Sequence, residues 1–151
     1  MSRYEKELSL LPAQIQLLRK ASKWLAHSYE KCVTFGIKET YSVEELESLE
    51  ALTSRFSRAI DLLVNRVYRT IDYIETMETG TIIDVMNRAH KRQLVDSVIA
   101  LREIKELRNQ MVHEYPDDKI IDLFKDSFLH TPKLLEFINN TIAYCEKNYS
   151  C

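Results

Sequence analysis

The sequence predicts an all-α protein, an antiparallel (up-down) four-helix bundle with additional short helices. Apolar residues recur at spacings of three and four along most of its 151 residues, which places them on one face of a helix. The chain has only two glycines and three prolines, too few for an all-β fold with many turns or for a glycine-rich phosphate loop. The length favours one domain over residues 1–151, with a core that needs no metal or disulfide.

The first predicted helix covers residues 8–31, where leucine and isoleucine repeat at helical spacing. Pro12 is placed near its start, where a missing amide is tolerated. Trp24 is assigned to packing, in the core or at an interface, in preference to base stacking. Residues 32–41 are predicted to connect this helix to the next one.

A long second helix is predicted from Ser42 to about Met77. Ser42 and Glu45 have the spacing of a capping box, in which each side chain accepts a hydrogen bond from the other residue's amide. One apolar arc then continues along the helix: Leu49, Leu52, Phe56, Ile60, Leu63, Val67, Ile71 and Ile74. A helix of about 34 residues spans some 50 Å, long enough to kink, to break or to act as an assembly spine.

The second half of the chain is divided by residues that break helices. Gly80 ends the long pattern, Pro116 ends a later helix, and Thr131-Pro132 has the form of an N-cap followed by a first-turn proline. The predicted helices are 81–90, 92–113, 117–128 and 131–149.

Charge and cysteine content exclude several classes of protein. A net charge of -2 does not suit a strongly basic nucleic-acid coat, and no apolar run approaches the ~20 residues that span a bilayer. The N-terminus carries charges throughout, unlike a secretory signal. Three widely spaced cysteines without a CxxC pair support neither zinc nor a disulfide framework. We therefore expect a soluble, cytoplasmic protein without membrane contact, metal or cofactor.

The residues best suited to chemistry lie together before Pro116. Arg108 is a permanent cation with a planar donor fork that matches phosphate, and His113 can exchange protons near neutral pH. Asn109 adds an amide and Tyr115 a phenol. On an ideal helix Asn109 and His113 share a face, whereas Arg108 and His113 diverge by about 140°. The helix end that Pro116 imposes can change those positions, so a functional cluster is predicted there.

Two cationic rows accompany this cluster. Lys105 and Arg108 continue an apolar row on their helix. Because long cationic side chains can lay their stems over apolar surface, this pattern indicates the rim of a buried surface or an interface. A second row on the long helix consists of Arg55, Arg58, Arg66 and Arg69. It is interpreted as a solvated face with ion pairs to Asp61 or Asp72, or alternatively as a track for a polyanion.

The string Arg108-Asn109-x3-His113-x-Tyr115 resembles the R-x4-H-x-Y signature of HEPN domains. It is most similar to the HepT-like toxins encoded beside minimal nucleotidyltransferase antitoxins. Residues 54–60 also resemble the long helix of that family, and the similarity extends over about residues 45–145.

The resemblance implies a metal-independent endoribonuclease that acts as a homodimer with both motifs facing one cleft. Arg108 would stabilise charge on the phosphate, and His113 would take the 2′-hydroxyl proton or protonate the leaving oxygen. Asn109 and Lys105 would support RNA or phosphate binding. The antitoxin would neutralise the toxin by binding it, with a higher oligomer as one possible assembly, by attaching AMP to Tyr115, which matches the tyrosine modified in the family, or by both.

Other interpretations remain open from the sequence. The same fold resembles non-catalytic nucleotide-binding or substrate-binding subunits of two-component nucleotidyltransferases, and a plain scaffold bundle is a third possibility. His113 would then only cap helix carbonyls, and Arg108 would form a surface ion pair with Glu103, Glu106 or Asp117.

Overall fold

The computed structural model of the chain describes residues 1–113 and 117–151, with only the backbone of 117 and 118. These residues form helices and no strand, so the predicted all-α class is confirmed. The helices are α1 (Arg3–Val33), α2 (Val43–Asp61), a π-helical segment (Leu62–Tyr68), α3 (Arg69–Thr76), α4 (Ile82–Lys91), α5 (Val98–Met111) and α6 (Asp117–Asn148).

The long second helix begins where the sequence predicts. The Glu45 amide donates to Ser42 Oγ at 3.2 Å and the Ser42 amide donates to Glu45 Oε1 at 2.8 Å, which completes the capping box. The helix continues without a break from α2 through the π-helical segment into α3, and Met77, with φ of 61°, ends it. The long helix therefore contains a π-helical segment, which is wider than an α-helix, and it does not break.

The connection to α4 also agrees with the sequence. Gly80 has φ of 84°, in the left-handed region that glycine enters without strain. Thr81 and Asp84 then cap each other, so α4 matches the helix predicted over 81–90 to within one residue.

The first helix begins earlier than predicted, at Arg3, because Ser2 and Glu5 form a capping box of their own. Pro12 consequently lies well inside α1, and its predicted position near the start of the helix is wrong. Proline has no amide to donate to the carbonyl of Leu8, so burial of the apolar face must stabilise α1 across this point.

The helix predicted over 92–113 is shorter at both ends. Arg92 is the C-cap of α4, and Gln93 has φ of 63°, which no α-helix accommodates. Ser97 accepts a hydrogen bond from the Ala100 amide and starts α5 at Val98.

The two helices predicted over 117–128 and 131–149 are a single helix, α6. Thr131 is buried and donates its hydroxyl to the Ser127 carbonyl at 2.6 Å, one turn back inside the helix, so its predicted N-cap role is wrong. Pro132 is exposed. The continuous apolar face of α6 keeps the helix intact through the proline.

Contacts along the long helices give their directions. Cys32, near the end of α1, lies beside Ser48 at the start of α2, and the Arg3 guanidinium stacks 4.1 Å from the ring of Tyr73. The first two long helices are therefore antiparallel.

α6 runs in the same direction as α2 and α3. Thr53 and Ser127 hydroxyls lie 3.0 Å apart, and further along both helices Thr141 donates to the Tyr68 hydroxyl at 3.3 Å. These contacts place both helices against a common core. Its largest fully buried side chains include Tyr68, Phe56, Phe137, Leu11, Ile15 and Leu18.

Within the described ranges, no helix has the length and apolar character needed to cross a membrane. All three cysteines are free thiols. Burial raises the pKa of Cys32 to about 11 and that of Cys145 to about 12, so both thiols are protonated and poorly nucleophilic at neutral pH.

Candidate functional site

The residues predicted to form the site lie on or next to α5, which packs against α2 in the opposite direction. Lys105 Nζ lies 3.3 Å from Asp61 Oδ1, and six residues later along α5 the Ser57 hydroxyl donates to Met111 Sδ at 3.0 Å. Successive turns of α5 thus follow the turns of α2 back toward its start.

An ion pair holds the Arg108 side chain in place. Arg108 Nε donates to both carboxylate oxygens of Asp61, at 2.7 and 2.9 Å, and Lys105 reaches the same carboxylate. The Arg108 side chain is 24% exposed and that of Asp61 is 31% exposed, so the pair lies at a rim. The predicted rim position of Lys105 and Arg108 is confirmed, but the partner is Asp61 of α2 instead of a neighbour in the sequence. Because only Nε contacts Asp61, the pair leaves the two Nη groups for other partners.

His113 lies just beyond the end of α5. The helix ends at Met111, and the His113 amide donates to the Gln110 carbonyl at 3.2 Å in a tighter turn. The ideal-helix angle between Arg108 and His113 therefore does not apply.

His113 lines a cavity of about 660 Å³. One wall is provided by α2 and the other by α6, and the lining residues besides His113 are Glu50, Thr53, Ser54, Ser57, Met111, Ile120, Leu123 and Phe124. The α2 wall contributes hydroxyl residues and the α6 wall apolar residues, a mixed lining of the kind found in small-ligand sites.

α2 connects the two predicted catalytic residues. Ser57, in the cavity of His113, lies one helical turn before Asp61, which holds Arg108. Asn109 is exposed on α5. Tyr115, the predicted modification site, lies outside the described residues.

The two carboxylates predicted to pair with the arginine row of the long helix, those of Asp61 and Asp72, bind cations from later helices instead. Asp61 binds Lys105 and Arg108, and the fully buried Asp72 binds Arg88 and Arg92. The row itself comprises Arg55, Arg58, Arg66 and Arg69.

Two members of that row have other partners. Arg55 donates to Ser28 Oγ at 2.6 Å and its guanidinium lies 5.1 Å from the ring of Trp24, while Arg69 donates to the Gly80 carbonyl. Trp24 is 52% exposed, so it does not belong to the core, one of the two places assigned to it.

The sequence predicts the wrong partner for Asp61, an arginine of its own helix instead of Arg108 on α5. Asp61 lies 47 positions before Arg108, so no local spacing connects the two. Asp61 is the single acidic residue of segment 51–71, and this is the feature of the sequence that could have marked it as a partner for a cation on another helix. Among the described residues, no three His, Cys, Asp or Glu side chains are grouped to hold a metal ion.

Comparisons of this chain with protein-family models, with curated proteins and with solved structures returned no match. The interpretation of the site therefore depends on the motif and on the geometry around Asp61 and His113.

Proposed function

We propose that the protein is a HEPN-like endoribonuclease toxin of the HepT type, active as a homodimer and neutralised by a minimal nucleotidyltransferase antitoxin. The observation that carries the proposal is the arrangement along α2. Asp61 fixes the guanidinium of Arg108, and one turn away Ser57 lines the cavity that contains His113. The alternating directions of α1, the long second helix, α5 and α6 support the up-down four-helix arrangement of such domains.

The chemistry assigns one step to each group. His113 takes the proton of the RNA 2′-hydroxyl, and that oxygen attacks the adjacent phosphorus. The bond from phosphorus to the 5′-oxygen breaks, and the second copy of the motif in the dimer protonates the leaving oxygen. The products are a 2′,3′-cyclic phosphate and a 5′-hydroxyl end.

Arg108 stabilises the negative charge that develops on the phosphate oxygens. Its Nε is held by Asp61, which aims the Nη groups without occupying them. Asp61 is accordingly a positioning residue. Asn109 and Lys105 support phosphate binding from the same helix.

Cleavage of a labelled RNA in the presence of EDTA tests the proposal. We expect wild-type protein to leave 2′,3′-cyclic phosphate ends and His113→Ala to be slower by about 10²–10⁴-fold. His90→Ala, which replaces an exposed histidine of α4, is the matched control and retains wild-type activity. An intact RNA with the wild type contradicts the proposal, and nucleotide binding without cleavage supports the non-catalytic subunit instead.

Control by the antitoxin has a separate readout. Incubation with a cognate nucleotidyltransferase and ATP is expected to add the mass of AMP to Tyr115 and to abolish cleavage. Tyr115→Phe removes the acceptor hydroxyl, so an unchanged mass increase in this variant contradicts the assignment.

A further inference from the structure

A groove runs between α1 and the long second helix on the outside of the bundle. It has a volume of about 620 Å³. We refer to it as the α1–α2 groove, and the residues that define its character are Leu17, Lys20, Trp24, Arg55, Arg58 and Arg66. The arginines extend over roughly 15 Å of helix.

The α1–α2 groove is positively charged although the chain has a net charge of -2. Its lining contains four cations, Lys20, Arg55, Arg58 and Arg66, and one acidic residue, Asp61. The charge of Asp61 is compensated by Lys105 and Arg108. The groove therefore attracts an anion along its length.

An aromatic side chain lies in this cationic groove. Trp24 is 52% exposed, and the guanidinium of Arg55 lies 5.1 Å from its ring. Arg55 is itself anchored by Ser28 Oγ at 2.6 Å. An exposed indole flanked by cations is the combination by which proteins stack bases and hold the backbone of single-stranded nucleic acids.

The groove meets the candidate active site at Asp61, which lines the groove and also holds Arg108. Around the axis of α2, Asp61 lies about 40° from Ser57, which faces the cavity of His113, and about 60° from Arg58, which faces the groove. A strand that leaves the groove past Asp61 thus reaches the guanidinium of Arg108.

We propose that the α1–α2 groove binds a single-stranded segment of RNA, with phosphates on Arg58 and Arg66 and a base stacked on Trp24. This inference deepens the proposed function because it places the substrate strand that leads to Arg108.

Fluorescence anisotropy with a labelled short oligouridylate tests the proposal, in the His113→Ala background so that the RNA stays intact. The double variant Arg58→Glu/Arg66→Glu is expected to weaken binding at least tenfold. Loss of two phosphate contacts also weakens the salt dependence of binding, because the plot of log affinity against log salt concentration becomes less steep by about 1.4. Arg102→Glu reverses an exposed charge on α5, outside the groove, and serves as the matched control.

The stacking contact has its own pair of variants. Trp24→Ala is expected to weaken binding by about 5–100-fold, and Trp24→Phe restores most of it because the aromatic face remains. Urea unfolding of each variant checks that the bundle is intact, since Trp24 and both arginines lie at its surface.

The outcomes separate this inference from the proposed function. Groove-dependent RNA binding by a wild-type protein that does not cut RNA supports the groove and refutes the nuclease. If the wild type cuts RNA but the groove variants bind RNA as tightly as the protein with an intact groove, the groove proposal alone is overturned. A change of oligomeric mass in those variants, with RNA affinity unchanged, also overturns it and assigns the groove to a protein interface.

Discussion

Asp72 and Asp61 lie on the same long helix, and each carboxylate holds two cations from a later part of the chain. Asp72 is fully buried and binds Arg88 at 3.1 Å and Arg92 at 2.5 Å. Asp61 is 31% exposed, lines the α1–α2 groove and binds Arg108 at 2.7 Å. The same kind of ion pair therefore occurs once inside the protein and once at a rim.

The network around Asp72 is far more extensive. Arg92 Nε also binds Glu75 at 2.7 Å, and Glu75 accepts hydrogen bonds from the hydroxyls of Tyr144 at 2.6 Å and Tyr149 at 2.5 Å. These contacts join α3, the end of α4 and the last turns of α6. The two carboxylates thus differ in burial and in the number of partners that the described residues provide, and on the proposed function the exposed one positions a group for a ligand.

The largest expected effect is on stability at the buried pair. Asp72→Asn leaves Arg88 and Arg92 partly buried without their shared anion, and we expect the free energy of unfolding to fall by about 3–5 kcal/mol. Urea denaturation measures this. Glu78→Gln removes an exposed partner of Arg88 and serves as the control, with a change below about 1 kcal/mol. Equal losses in both variants contradict the distinction.

At the rim, the expected effect is on activity. Asp61→Asn is expected to cost about 1 kcal/mol of stability or less. It lets the guanidinium of Arg108 move, and a displacement of about 1 Å lowers catalysis by about 10²-fold. RNA cleavage and urea denaturation are measured on the same preparation. Asp96→Asn, which removes an exposed carboxylate paired with Lys133, is the control and keeps both properties. A stability loss as large as that of Asp72→Asn assigns Asp61 to the fold instead.

The smallest effect concerns pH. Burial alone raises the pKa of Glu75, but hydrogen bonds from Tyr144, Tyr149 and Arg92 outweigh it and hold that pKa below its usual range. The resulting stabilisation is present above the ordinary glutamate pKa of about 4.3 and is lost as the pH falls through the lower folded-state pKa. Relative to Glu75→Gln, the wild type is expected to lose unfolding free energy on acidification from about pH 6 to pH 3. Parallel pH profiles of the two proteins, measured by urea denaturation, refute this linkage.

Local sequence patterns correctly predicted those helix ends that are set by residues a few positions apart in the chain. Ser42 with Glu45 located the start of the long helix, and Gly80 located its end region. Thr131-Pro132 misled the interpretation because burial of the apolar face of α6 outweighs the missing proline amide. Local rules fail wherever tertiary packing supplies the larger free energy.

The helical class and the apolar faces follow from the amino-acid sequence alone, because they depend on spacings within a few turns. The grouping of Arg108, Asn109, His113 and Tyr115 is a prediction from the same kind of spacing. The pairing of Asp61 with Arg108 and of Asp72 with Arg88 becomes visible only once the helices are packed together. Such partners lie on different helices, and a carboxylate pairs with whichever cation the packing of those helices brings within hydrogen-bonding distance.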